Sequence, residues 1–221
     1  NLAACLALSG RKVLVVDMDP QGNASSGLGV NLKENQRGVY ELLADDLSLE
    51  LVVYPTEIDT LKIIPSNVEL AGAEIELVER AHREKILSTA LNGVTEEYEY
   101  VVIDCPPSLG LLTLNALTAS NSVLIPMQCE YYALQGLSHL LKPLHLIKKS
   151  LNPTLTVEGI VLTMFDNRTL LTGQVESQVR NYFSEYLMET IIPRNIRLSE
   201  APSHGKPIVL YANRSKGSDS Y

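Results

Sequence analysis

The chain has 221 residues, 45% of them hydrophobic and 20% charged, which supplies a folded core and excludes a disordered or fibrous chain. Aromatics are sparse, with 2 Phe, 10 Tyr and no Trp, so the core rests on Val, Ile and Leu, a composition suited to a parallel sheet buried on both faces. The net charge of −8 argues against a protein that coats nucleic acid over its whole surface.

Taken in chain order, Leu2–Leu8 reads as a helix that Ser9 and Gly10 terminate. Residues 12–17 form a β-branched and aliphatic run ending in an acid, the pattern of a buried strand. Similar runs follow at 61–64, 100–104, 122–127 and 158–163. Helical periodicity covers 68–91, 109–119, 133–149 and 173–186, and a short apolar helix near 40–43 sits in a polar, Gly-containing surface excursion at 22–46. Strand and helix alternate throughout. That alternation predicts an α/β fold, a mostly parallel sheet with helices on both faces, in a single domain over residues 1–221.

Charge is uneven along this frame. Residues 1–141 hold 8 Lys and Arg against 19 Asp and Glu, whereas residues 142–221 hold 10 against 7, so contact with phosphate backbones is expected in the C-terminal third. Cys5, Cys105 and Cys129 are odd in number and far apart, with no C-x-x-C pair, which speaks against a disulfide scaffold or a cysteine-held zinc. The apolar opening is short and lacks a basic lead, and no stretch approaches twenty apolar residues. A cytoplasmic protein without a membrane span is expected.

In open α/β sheets ligands bind outside the carboxyl ends of the strands. At the first such end Asp17 and Asp19, two apart on an extended segment, point the same way, and Pro20 and Gly22 turn the chain so that the pair sits at the sheet edge. Such a pair can hold Mg²⁺ through water or orient an attacking water; a solvated turn rich in Asp, Pro, Gly and Asn is the plainer reading. The second end, Val101-Val102-Ile103-Asp104, has the form of a Walker B strand, with Pro106 and Pro107 starting the next helix. At the third end Arg168 follows Met164 and Asp166 in a polar turn, either as a phosphate-reaching guanidinium or as a plain surface arginine. The fourth, from Ile192 through Pro193, Arg194, Asn195 and Arg197, leads into a short helix that Ser199 is placed to cap. Neither G-x-x-x-x-G-K-[ST] nor G-x-G-x-x-G occurs in the 221 residues.

The strings VVDMDPQGNASSGLG (15–29), LAGAEIEL (70–77), VVIDCPPSLGLLTLNALTAS (101–120), PMQCEYYALQGLSHL (126–140) and IPRNIRLSEAPSHGKPI (192–208) resemble, in order and spacing, the ParA/Soj family of chromosome-partitioning ATPases with a deviant Walker A loop. The resemblance covers nearly the whole chain. It implies a P-loop NTPase-like domain using ATP and Mg²⁺, and a fragment lacking the N-terminal P-loop, the first strand of the sheet and the C-terminal helix. A chain reduced in that way is expected to be inactive alone.

By the same resemblance Asp19 positions the attacking water, Asp17 lies toward Mg²⁺ and phosphate, and Asp104 is the Walker B acid that holds Mg²⁺ through water. Pro193, Arg194 and Asn195 match the loop at the adenine, with Met164 and Asp166 close by. Arg168 and Arg197 match arginines that bind DNA without sequence preference, and residues 128–135 match a segment near a nucleotide-dependent dimer interface. The implied partners are nonspecific nucleoid DNA, a ParB-type protein that stimulates hydrolysis, and a second copy of the chain in an ATP-dependent homodimer. A MinD-like septum-positioning ATPase is the nearest alternative, and a module that only binds partners is the alternative of a different class.

Overall fold

The computed structural model describes residues 1–33 and 35–221. Helix α1 (Leu2–Leu8) turns Ala3, Ala4 and Ala7 inward and stops at Ser9, whose hydroxyl donates to the Leu6 carbonyl at 2.7 Å. Strand β1 (Val13–Asp17) is buried at all five positions. Beyond its turn come α2 (Asn23–Gly27), α3 (Val39–Ala44), the short β2 (Tyr54–Pro55) and β3 (Leu61–Ile64). The two-residue period of β1 sorts its side chains between two cores. Val13 and Val15 pack with Ala3, Ala4 and Ala7, while Leu14 and Val16 pack on the other face under α3, α4 (Leu70–Glu76) and α5 (Ile86–Ala90). Next in the chain, β4 (Tyr100–Asp104) leads to α6 (Leu111–Ala119), whose Leu112 and Ala116 join this second core.

The remainder builds a second ladder: β5 (Ser122–Gln128), α7 (Ala133–Ser150), β6 (Thr156–Phe165), α8 (Leu170–Phe183) and β7 (Leu187–Pro193). The strand orders are β2-β3-β1-β4 and β5-β6-β7. Every pairing is parallel except β2 with β3. The α/β architecture with parallel strands and flanking helices is therefore as the sequence predicts, carried on two ladders. Among the described residues no strand pairs β4 with β5; α6 links the halves by giving Leu112 to one core and Leu117 to the other. The short helices α9 (Ile196–Glu200), α10 (Ile208–Tyr211) and α11 (Lys216–Asp219) bring the end of the chain back to its start, where the Ile208 N–H donates to Asn1 Oδ1 at 2.8 Å.

Three local expectations change. The periodicity of 68–91 does not give one helix: it breaks at His82, whose φ is +54°, because Arg80 is drawn to the end of α3. There its guanidinium donates to the Leu43 and Ala44 carbonyls at 2.7 and 3.3 Å and pairs with Asp46, serving the free carbonyls of a helix C-terminus. Pro106 and Pro107 do not open α6 but form the turn before it, closed by the Thr113 hydroxyl on the Ser108 carbonyl at 2.6 Å, and the helix starts after Gly110. The cap of α9 is Asn195, whose Oδ1 accepts the Arg197 N–H at 2.9 Å, and Ser199 lies inside the helix. Among the described residues no helix is long and apolar enough to cross a membrane.

Candidate functional site

Strands β1 and β4 run parallel with Asp17 directly opposite Asp104, and the Met18 N–H donates to the Asp104 carbonyl at 2.8 Å. Two acid-ended strands thus put two carboxylates on one rim of the sheet. Their surroundings differ. Asp17 has no exposed surface, and both its oxygens are taken: Oδ2 accepts the Ser25 N–H at 2.8 Å and the Ser25 hydroxyl at 2.6 Å, and Oδ1 accepts the Asp19 N–H at 3.2 Å. Burial raises its pKa above the ordinary carboxylate value, and the Ser25 hydrogen bonds oppose that rise.

Asp104 keeps a solvent-facing edge. The protein packed behind it, followed by the Asp17 and Asp19 charges, pushes its pKa up to about 6. Beside it, burial and then the Asp104 and Asp19 charges push the Cys105 thiol up to about 12, so this cysteine is an inert neighbour. Asp19, half-buried on the turn, accepts the Gln21 N–H on Oδ1 at 2.9 Å. The turn then passes through Gly22 at φ +62°, where an added Cβ would stand 2.9 Å from the Ser66 carbonyl oxygen; only glycine fits both conditions.

A second group gathers at the carboxyl ends of β6 and β7. Phe165 is in register with Pro193, and the Arg194 N–H donates to the Phe165 carbonyl at 2.9 Å. That pairing sets Met164 and Asp166 beside Arg194, and with Arg168, Thr169 and Cys129 they line an open cavity of about 400 Å³. Met164 holds φ +49°, unusual for a residue with a side chain, at the last turn of the strand. Pro193 and Asn195 flank Arg194, but the Asn195 side-chain oxygen already serves the N-terminus of α9. Asp166 grips Arg168 through both guanidinium edges, Nε to Oδ1 at 2.8 Å and Nη2 to Oδ2 at 2.6 Å, and also accepts the Arg168 N–H at 3.1 Å. The arginine holds the Asp166 carboxyl down to about 2. Arg197 projects from α9, outside this cavity, with Nη1 on Glu200 Oε2 at 2.8 Å.

The ten residues singled out in the sequence thus fall into Asp17, Asp19 and Asp104 at one pair of strand ends, and the other seven at the next. Between them the segment after α2 approaches the segment after α9 at Gly29 and Gly205, both at positive φ, where a Cβ on Gly29 would meet the Gly205 carbonyl oxygen at 2.9 Å. Among the described residues no set of three or more His, Cys, Asp and Glu side chains is arranged to hold a metal ion. Ser25 and Ser66 were missed by the sequence reading, and Cys129 figured in it as a site residue only within the interface segment 128–135; the only signal for Ser25 is its place in the Asn-Ala-Ser-Ser run just after the acidic turn.

Acids at the ends of adjacent parallel strands occur in several α/β folds, and the comparisons assign this one to the P-loop NTPase class. Residues 1–157 match the AAA domain family model. Over all 221 residues the chain is 55% identical to sporulation initiation inhibitor protein Soj of Bacillus subtilis, spanning 87% of it, and 54% identical to chromosome partitioning protein ParA of Myxococcus xanthus, spanning 78% of it. Among solved structures, cobyrinic acid a,c-diamide synthase from Mycobacterium smegmatis with bound ADP and magnesium superposes with a TM-score of 0.86 at 34% identity, covering 100% of this chain and 82% of that one. The cell division ATPase MinD of Pyrococcus furiosus, at 24% identity and TM-score 0.79 over 99% of this chain and 86% of its own, shares the fold. The chain belongs to the ParA/Soj family of chromosome-partitioning ATPases.

Proposed function

We propose that this chain carries the hydrolytic and DNA-facing residues of an ATP-driven partitioning switch: an ATP-bound dimer held on nonspecific DNA, released when a ParB-type partner stimulates hydrolysis. The observation that supports it most is the convergence of Asp17, Asp19 and Asp104 at the ends of β1 and β4, where burial first, and then the Asp17 and Asp19 charges, lift the Asp104 pKa to about 6. Acids crowded in that way suit a site that receives a cation.

Asp104 fits Mg²⁺, being a hard oxygen donor whose pKa is set by burial and like charges and not by any hydrogen bond from the chain. Asp17 fits less well as a ligand, since its buried oxygens are occupied, and we assign it to holding the turn. Bound Mg²⁺ would neutralise charge on the phosphate oxygens of ATP. With one Asp19 oxygen on the Gln21 amide, the other is left to accept a hydrogen bond from the attacking water. That water oxygen bonds to the γ-phosphorus as the bond to the bridging oxygen breaks, giving ADP and phosphate. Pro193, Arg194, Asn195, Met164 and Asp166 form the base-side wall, and Arg168 and Arg197 meet DNA phosphates. A switch of this kind would act in the cytoplasm, at the nucleoid.

The test uses the full-length gene product. Asp19→Ala is expected to lower ATP hydrolysis on the order of 100-fold while ATP-dependent retention on DNA persists. Arg168→Glu with Arg197→Glu is expected to abolish retention and spare ATP binding. Normal hydrolysis in the first variant refutes the Asp19 role; unchanged retention in the second refutes the DNA face.

A further inference from the structure

We propose that Ser25 is a positioning residue for hydrolysis, locking the turn that carries Asp19 between the ends of β1 and β3; this rests on the reading of Asp19 given above. The hydrogen-bond directions are fixed by the groups involved. The Ser66 N–H can only donate, and it reaches Ser25 Oγ at 3.0 Å, so the Ser25 hydroxyl proton is directed to Asp17 Oδ2 at 2.6 Å. The Ser25 N–H donates to the same oxygen at 2.8 Å. Asp17 then passes the restraint on through Oδ1, which accepts the Asp19 N–H at 3.2 Å. A continuous relay therefore runs from the segment after β3, through Ser25 and Asp17, to the backbone of Asp19.

All three anchoring residues are sealed from solvent, Asp17 at 0%, Ser25 at 2% and Ser66 at 6% exposure, so water cannot replace a lost member without entering the core. The turn has little other freedom. The Gly22 N–H closes on the Asp19 carbonyl at 2.9 Å, and Gly22 packs on the Ser66 backbone. One buried carboxylate thus closes both ends of the segment 17–25, and Ser25 is the side chain that ties it to the segment after β3. A group that orients water must be held to a fraction of an ångström, so loosening this relay affects the reaction step more than nucleotide binding.

The experiment measures kcat and KM for ATP in the full-length gene product for Ser25→Ala, Ser25→Cys, Ser25→Thr and Asp19→Ala, at a temperature where circular dichroism shows each variant folded. Ser25→Ala is expected to lower kcat on the order of 10-fold to 100-fold with KM changed less than about threefold, and Ser25→Thr, which keeps the hydroxyl, to stay within about threefold of the parent. Ser25→Cys, a weak donor of similar size, should fall between them. Wild-type kcat in Ser25→Ala, alongside an inactive Asp19→Ala, overturns the positioning role and leaves the Asp19 reading standing. Should Ser25→Ala fail to fold, a Ser25→Cys kcat equal to wild type overturns it. Unimpaired Asp19→Ala instead overturns the reading on which the proposal rests.

Discussion

Arg168 and Asp166 face each other across only one intervening residue, with a guanidinium about four-fifths exposed and a carboxylate mostly covered. A pair so open to water adds little to folding stability, but it sets the partner that Arg168 would have to leave in the DNA contact proposed above. Its signature is the Asp166 titration. The folded pKa lies at about 2, depressed by the Arg168 side chain and then by its backbone N–H, below the ordinary value of about 3.9. The folded state therefore releases this proton more readily than the unfolded chain does. The pair's contribution is present above about pH 4 and is lost as the pH falls through about 2. Carboxyl ¹³C NMR of Asp166 is expected to show a midpoint near 2 that returns toward the ordinary range in Arg168→Ala; a midpoint indifferent to Arg168 would refute the clamp.

At the scale of elements, the turn between β1 and α2 is the most constrained segment of the site. Gly22 combines a left-handed backbone with a close approach to the Ser66 carbonyl, so Gly22→Ala adds about 1–2 kcal/mol of backbone strain and a steric overlap. For a chain of this size that corresponds to a Tm lower by roughly 2–8 °C, and an unchanged melting curve would show that the turn relaxes. The strands bearing Asp17 and Asp104 were legible in the sequence because each is an unbroken apolar run ended by an acid, although only β1 is buried throughout and β4 is half-buried with Tyr100 and Asp104 exposed. Strand β7 was not among the runs recognised, since Glu189 and Thr190 are exposed at its centre and break the apolar pattern. Ser25 was hidden for a related reason. A serine among Asn, Ala and Ser reads as solvated turn, and only the fold reveals that the Asp17 carboxylate lies behind it. Arg80 likewise looks like one more helical residue until α3 presents its free carbonyls.

For the molecule as a whole, the net charge of −8 repels DNA at long range, so the DNA attachment proposed above would have to rest on the few arginines that project from the C-terminal third. Arg168 and Arg197 are exposed, and each rests on a carboxylate of its own segment, Asp166 and Glu200. Binding DNA means exchanging that carboxylate for a phosphate. On the proposed reading, two arginines per protomer would give a dimer about four phosphate contacts, and counterion release would set the slope of log affinity against log salt concentration near −3.6. Arg197→Gln removes one contact from each protomer, and the slope is expected to flatten to about −1.8 with ATP binding preserved. Retention of the full-length gene product on DNA, measured with ATP across a potassium chloride series, reads that slope directly. If Arg197→Gln weakens retention by the same factor at every salt concentration, Arg197 acts on the shape of the loop and not through a phosphate, and the DNA-facing surface must be sought elsewhere on the basic third of the chain.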